Sequence, residues 1–280
     1  MKLYTYLRAA GVCAAVLIVC GCAAGPVKPF TNAASFDMTP ISYSVSGEGK
    51  PVLCFVHGWG CDSRYWAEQK AAFSDTNTVV TVDLAGHGHS GTQREKYSLE
   101  SFGKDIQAVI EKNDFQDVIL IGHSMGGPVI LHAAARMPRR VIGIIGVDTF
   151  QNFEIGYPED ARERYLEPLK DDFNKGIERF VSGLFREKTD PELIDTIMRD
   201  MMSIHPSVGI SAMEELLAVD EVSLVESVSQ PIVCVNGDLW YTDYEVNKKH
   251  APSFRLYQLK RTGHFPMLER PNRFNAKLSR

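Results

Sequence analysis

"IGHSMGG", residues 121–127, ends the apolar run "DVIL" by placing one serine among three glycines. The run reads as a buried strand, and "PVILHAAARM" (Pro128–Met137) reads as a helix with proline in its first turn. Ser124 thus falls on a sharp strand-to-helix turn, flanked by Gly122 and Gly126 in the pattern G-x-S-x-G. Such a turn crowds its flanks, so glycine is needed there, and the serine is held strained and exposed at the strand end. The helix that follows points its N-terminus at the same spot, which favours developing negative charge. A phosphate-binding loop would need Lys-Ser/Thr after its last glycine, and Pro128-Val129 stand there instead. The turn offers Ser124 as a candidate nucleophile.

A serine hydroxyl attacks poorly until a base takes its proton. His264, in "KRTGHFPMLERP", follows the last strand pattern directly and is the candidate base. His57, His87, His89 and His123 sit in glycine-rich loops with structural work to do. "FVHGWG" (Phe55–Gly60) ends another buried strand, and a backbone N–H just beyond it can face a reacting carbonyl. The amides of Trp59 and Met125 are the expected oxyanion hole, with the Trp59 side chain lining the pocket.

Around these segments, strands and helices alternate. "ISYSV", Val52–Val56, "NTVVTV", "DVILIG" and "VIGIIGV" read as strands, and "YSLESFGKDIQAVIEKN" as an amphipathic helix capped by Ser98. From Gln151 to about Val228 the pattern is helical, "PELIDTIMRDMMSIH" most clearly, and alternation resumes at "PIVCVNG". Repeated βα units predict a mostly parallel central sheet flanked by helices, with a helical cap inserted over the strand ends where ligands bind. The expected division is 39–150 and 229–280 for the core, with the cap at 151–228.

Four motifs in order, "VHGWG", "DLAGHGHS" (Asp83–Ser90), "GHSMGG" and "GHFPMLERP", resemble the α/β-hydrolases with an inserted helical cap, over about residues 41–275. The resemblance implies a serine hydrolase working through an acyl-enzyme without metal or organic cofactor, on small or apolar carboxylic esters. Carbon–carbon bond hydrolases and aminopeptidases share the serine and stay open. So does a non-catalytic binding lipoprotein, a different class. The acid departs from the family pattern. Many relatives carry it three residues past a glycine after the strand that follows the cap, and here that residue is Trp240. Asp148, directly after "VIGIIGV", ranks first, Asp238 is the alternative, and Asp243 is third.

The 280 residues are 44% hydrophobic with a net charge of −5, and no basic patch points to nucleic acid. Lys2 and Arg8 precede "AAGVCAAVLIVCGC", an apolar stretch suited to a signal peptide at 1–22 and too short to span a bilayer comfortably. "VCGC" (Val19–Cys22) resembles a bacterial lipobox with Cys22 as the lipidated residue; ordinary cleavage near Ala23-Ala24 is the rival. The resemblance implies an exported, membrane-anchored lipoprotein, in the outer membrane or on the periplasmic face if the host is Gram-negative, with secreted or periplasmic release as the alternative. Residues 23–38 then read as a tether. Beyond the leader only Cys54, Cys61 and Cys234 occur, an odd count without the spacing of a zinc site or disulfide framework. Gln151 to Gln230 holds eighteen Asp and Glu against eight Lys and Arg, which reads first as a solvated outer helix face and, as the alternative, as a surface that disfavours strongly anionic substrates.

Overall fold

The computed structural model describes residues 30–279. The expected signal peptide (1–22) with the expected lipidation site Cys22, and residues 23–29 of the expected tether, lie outside the described residues.

In chain order the elements are β1 (Thr31–Ala34), β2 (Pro40–Ser46), β3 (Val52–Val56), α1 (Ala67–Phe73), β4 (Val79–Val82), α2 (Leu99–Lys112), β5 (Val118–His123), α3 (Gly126–Arg136) and β6 (Val141–Val147). There follow α4 (Glu159–Asp171), α5 (Phe173–Ser182), α6 (Pro191–Met202), α7 (Pro206–Ala218), α8 (Glu221–Glu226), β7 (Ile232–Asn236), α9 (Tyr244–His250), β8 (Arg255–Gln258), α10 (Pro266–Glu269) and α11 (Pro271–Leu278). One eight-stranded sheet has the order β1-β2-β4-β3-β5-β6-β7-β8. From β4 to β8 all neighbours pair in parallel, and β1 and β2 add an antiparallel edge. All residues of β3 and β4 are buried, as expected for strands covered on both faces. Ser98 caps α2 through a capping box with Ser101, and the Phe102, Ile106, Val109 and Ile110 stripe is buried, packing this helix onto the core.

Two boundaries differ from the sequence reading. The tether expected over 23–38 contains β1, whose "TNAA" buries only Ala33 and so carries no periodic signal. Its order comes from partners: it pairs with β2, Ser35 donates to the buried Asp105 carboxylate, and Arg94 bridges Asp37 and Asp105. The inserted segment expected over 151–228 also divides. Helices α4 to α7 pack on one another, whereas α8 returns to the core against α3 and α9.

The chain leaves the core past Glu154 and re-enters through α8, and His250 on α9 joins both passages. Its Nε2 lies 2.8 Å from Glu154 and its Nδ1 2.9 Å from Glu226. Hydrogen bonds donated to Glu154 and then to Glu226 raise its pKa above the ordinary 6.5. A group whose folded pKa is raised contributes stability that is complete below the unfolded value and is lost as pH rises through the folded one. The expected result is that His250→Gln lowers the melting temperature at pH 5.5 and that the gap to wild type narrows by pH 8.5. A gap that stays constant or widens with pH, followed by thermal melts, contradicts the assignment.

Candidate active site

The loops at the carboxyl ends of β3, β5, β6, β7 and β8 meet around Ser124. Ser124 has φ 52°, a left-handed conformation that only a strained turn imposes on a residue with a side chain. The turn is held by Ser124 N–H to the Val147 carbonyl, 3.0 Å, and by Gly127 N–H to the Ser124 carbonyl, 2.8 Å. A Cβ on Gly122 would stand 2.3 Å from the Gly126 carbonyl oxygen, and one on Gly126 2.8 Å from those of Val56 and His57. The backbone therefore excludes any side chain on either flank.

Beside the turn runs the loop after β3. The nearness of Gly58 to Ser124 is direct: an added Cβ there would lie 3.2 Å from Ser124 Cβ. Among the described residues, neither the Trp59 nor the Met125 backbone N–H donates a hydrogen bond, leaving two amides beside the serine for an oxyanion. The Trp59 indole does not stand open in a pocket. It is buried, packs edge-on to Phe173 and Phe180, and donates from Nε1 to the Gly209 carbonyl, 2.8 Å. It ties the loop after β3 to the cap.

His264 is gripped at every backbone group. Its N–H donates to the Leu184 carbonyl of the cap, 2.9 Å, and its carbonyl accepts from His123 Nε2, 2.7 Å. On either side, Gly263 N–H and Phe265 N–H donate to the two oxygens of Glu269, 2.9 and 3.1 Å. The ring is set by Asp148: His264 Nδ1 lies 2.6 Å from Asp148 Oδ2. An Nδ1–H donating to a carboxylate leaves the lone pair on Nε2, the nitrogen that can take a proton from a hydroxyl.

Asp148 comes from the end of β6, where φ 44° turns its side chain towards His264. Its second oxygen accepts Gly237 N–H, 2.7 Å. Asn236, at the end of β7, clamps the next residues by donating to the Thr149 carbonyl, 2.9 Å, and to Thr242 Oγ1, 3.0 Å. The other two acids are engaged elsewhere. Asp238 accepts Thr262 N–H, 3.1 Å, and pairs with Arg186, 2.8 Å. Burial alone would raise the Asp238 pKa, but the Arg261 and Thr262 backbone groups and Arg186 together hold it below the ordinary carboxylate value. Asp243 caps α9 through Val246 N–H.

The remaining histidines near the site are committed to structure. His57 Nδ1 donates to the Gly58 carbonyl, 2.8 Å, and Nε2 accepts Leu84 N–H, 3.0 Å. Burial lowers its pKa, takes His87 down to about 3, and with the neighbouring His264 holds His123 well below the ordinary value. The "DLAGHGHS" loop is organised by Asp83, whose buried carboxylate accepts Ser63 N–H and His89 N–H, 2.8 and 2.9 Å. Among the described residues, no group of three or more His, Cys, Asp or Glu side chains is placed to hold a metal ion. The sequence reading missed Glu269, Asn236 and the Leu184 carbonyl. Of these only Glu269 left a signal, a carboxylate five residues after His264 within a quoted motif.

Residues 51–202 match the family described as alpha/beta hydrolase fold. A pimeloyl-[acyl-carrier protein] methyl ester esterase of Vibrio cholerae is 29% identical over 206 residues, 70% of this chain and 78% of that protein. An esterase of Exiguobacterium antarcticum superposes with TM-score 0.80 at 19% identity, over 89% of this chain and 97% of its own. A bromoperoxidase of Bacillus anthracis superposes with TM-score 0.79, also at 19% identity, over 90% of this chain and 98% of its own. At such identities the solved structures speak for the fold alone.

Proposed function

The chain belongs to the alpha/beta hydrolase family of enzymes, and from that premise we propose that it is a serine hydrolase cleaving small or apolar carboxylic esters. The observation that carries this reading is the 2.6 Å contact of His264 Nδ1 with Asp148, beside a strained turn that presents Ser124. The methyl ester esterase name of its Vibrio cholerae relative supports the ester class.

In this reading His264 Nε2 takes the Ser124 proton as Oγ attacks the ester carbonyl. The Trp59 and Met125 amides hold the oxyanion, each contributing about 3 kcal/mol in the transition state. His264 then gives the proton to the leaving alkoxide, and the acyl group remains on Ser124. Water, deprotonated by the same nitrogen, releases the acid. Asp148 keeps Nδ1 protonated and stabilises the imidazolium.

A fluorophosphonate probe tests the reading together with nitrophenyl esters of graded acyl length. Labelling that maps to Ser124, with turnover of the shorter esters, is expected. A folded protein that neither labels nor turns over any ester refutes it, and makes the binding lipoprotein the better reading.

The protein is also proposed to be held on a membrane through acylated Cys22, because "VCGC" follows a signal-like apolar segment. Cys22→Ser is expected to move the protein out of the membrane fraction or stall its processing, since acyl chains supply the anchor. Unchanged fractionation and unchanged size on gels would reject the lipid anchor.

A further inference from the structure

We infer that Trp240 forms a wall of the leaving-group site and makes the enzyme select esters of aromatic alcohols. This inference rests on the serine-hydrolase reading and names the substrate's alcohol side. The leaving oxygen receives its proton from His264 Nε2, so the alcohol must sit beside the imidazole at the moment of cleavage. The imidazole neighbours differ in exposure. His123 and Phe265, with ring centroids 4.7 and 5.2 Å away, are fully buried. Trp240 packs edge-on at 4.9 Å and 62°, yet 40% of it is exposed. Of these three rings the indole alone also faces solvent, and the inferred seat of the alcohol group is against it.

The loop that carries Trp240 is fixed at both ends. Two residues earlier, Asp238 is tied to Thr262 and Arg186; two residues later, Thr242 accepts from buried Asn236. The indole is thus pre-positioned, which favours binding because little side-chain freedom is lost. It stands three residues past Gly237, the position at which the family resemblance leads one to expect the acid. With Asp148 supplying the carboxylate from β6, this position is released to contact substrate. An aromatic ring placed against indole gains attraction beyond its buried area, which a methyl group does not.

The test compares methyl and benzyl esters of one short acyl group. In the wild type the benzyl ester is expected to have the higher kcat/KM. Trp240→Ala is expected to lower the benzyl-to-methyl ratio about tenfold, mainly through KM for the benzyl ester, while Trp240→Phe keeps it within about threefold. Fluorophosphonate labelling of Trp240→Ala shows that its site is still assembled. If Trp240→Ala labels but loses both esters equally, Trp240 only holds His264 and the inference is overturned. A wild type that prefers the methyl ester overturns it as well. Neither labelling nor turnover in the wild type overturns the serine-hydrolase reading, and this inference with it.

Discussion

Ser124→Ala is expected to abolish ester turnover, a fall of about six orders of magnitude, without unfolding the protein. The turn supplies the reason for both halves. Ser124 Oγ makes none of the hydrogen bonds that hold the elbow; those run through its backbone to Val147 and Gly127. Alanine keeps the Cβ already accommodated beside Gly58 and carries a similar left-handed backbone cost, so the melting temperature should change little. Without Oγ no covalent intermediate forms, and the fluorophosphonate label should vanish. Groups that act as one unit are non-additive, so Ser124→Ala combined with Asp148→Asn should be no slower than Ser124→Ala alone. Turnover near wild type in a folded Ser124→Ala protein would remove Ser124 from the reaction.

The features legible in the sequence were those whose cause is local. G-x-S-x-G needs only its own crowding to be read, and the buried strands announce themselves as unbroken apolar runs. β1 was illegible because nothing in "TNAA" asks for a strand; the unpaired edge of β2 and the Arg94–Asp105 pair ask for it from elsewhere in the chain. The support of His264 was illegible for the same reason. Leu184 is far from it in sequence, and so is His123, and both ligate backbone groups that carry no residue signature. The sequence points to Trp59 for its backbone amide. Its indole became a cap anchor only because α7 lays the Gly209 carbonyl over it.

These long-range supports also connect the cap to the chemistry. Arg186 pairs with Asp238, Thr189 donates to Glu269, 3.4 Å, and the Leu184 carbonyl accepts His264 N–H, so residues 184–189 touch both the loop after β7 and the loop bearing His264. The cap is then part of what orients the imidazole as well as a cover over it. A ring set by contacts from β5, β6, α10 and the cap loses little entropy when the reaction needs it in one orientation.

Of the sequence candidates for the acid, Asp148 is the one in contact with His264, and Asp148→Asn is expected to cut turnover by about four orders of magnitude while the fold survives. Both oxygens of Asp148 are used, one by Gly237 N–H and one by His264 Nδ1. An asparagine has one acceptor oxygen and one donor nitrogen. If its oxygen keeps the Gly237 bond, its NH₂ faces Nδ1 and selects the tautomer protonated on Nε2, which cannot take the Ser124 proton. If it turns the other way, two N–H groups confront each other at Gly237, and the amide still cannot stabilise an imidazolium. Asp238→Asn keeps an acceptor for Thr262 N–H and loses only the charge opposite the partly exposed Arg186, an ion pair worth about 1 kcal/mol or less. Its turnover is expected to fall no more than about tenfold, through a looser loop around Trp240. Measured kcat/KM for the two variants, with circular dichroism to establish folding, separates the roles. A larger loss for Asp238→Asn would transfer the acid to β7 and leave the 2.6 Å contact of Asp148 as a structural one.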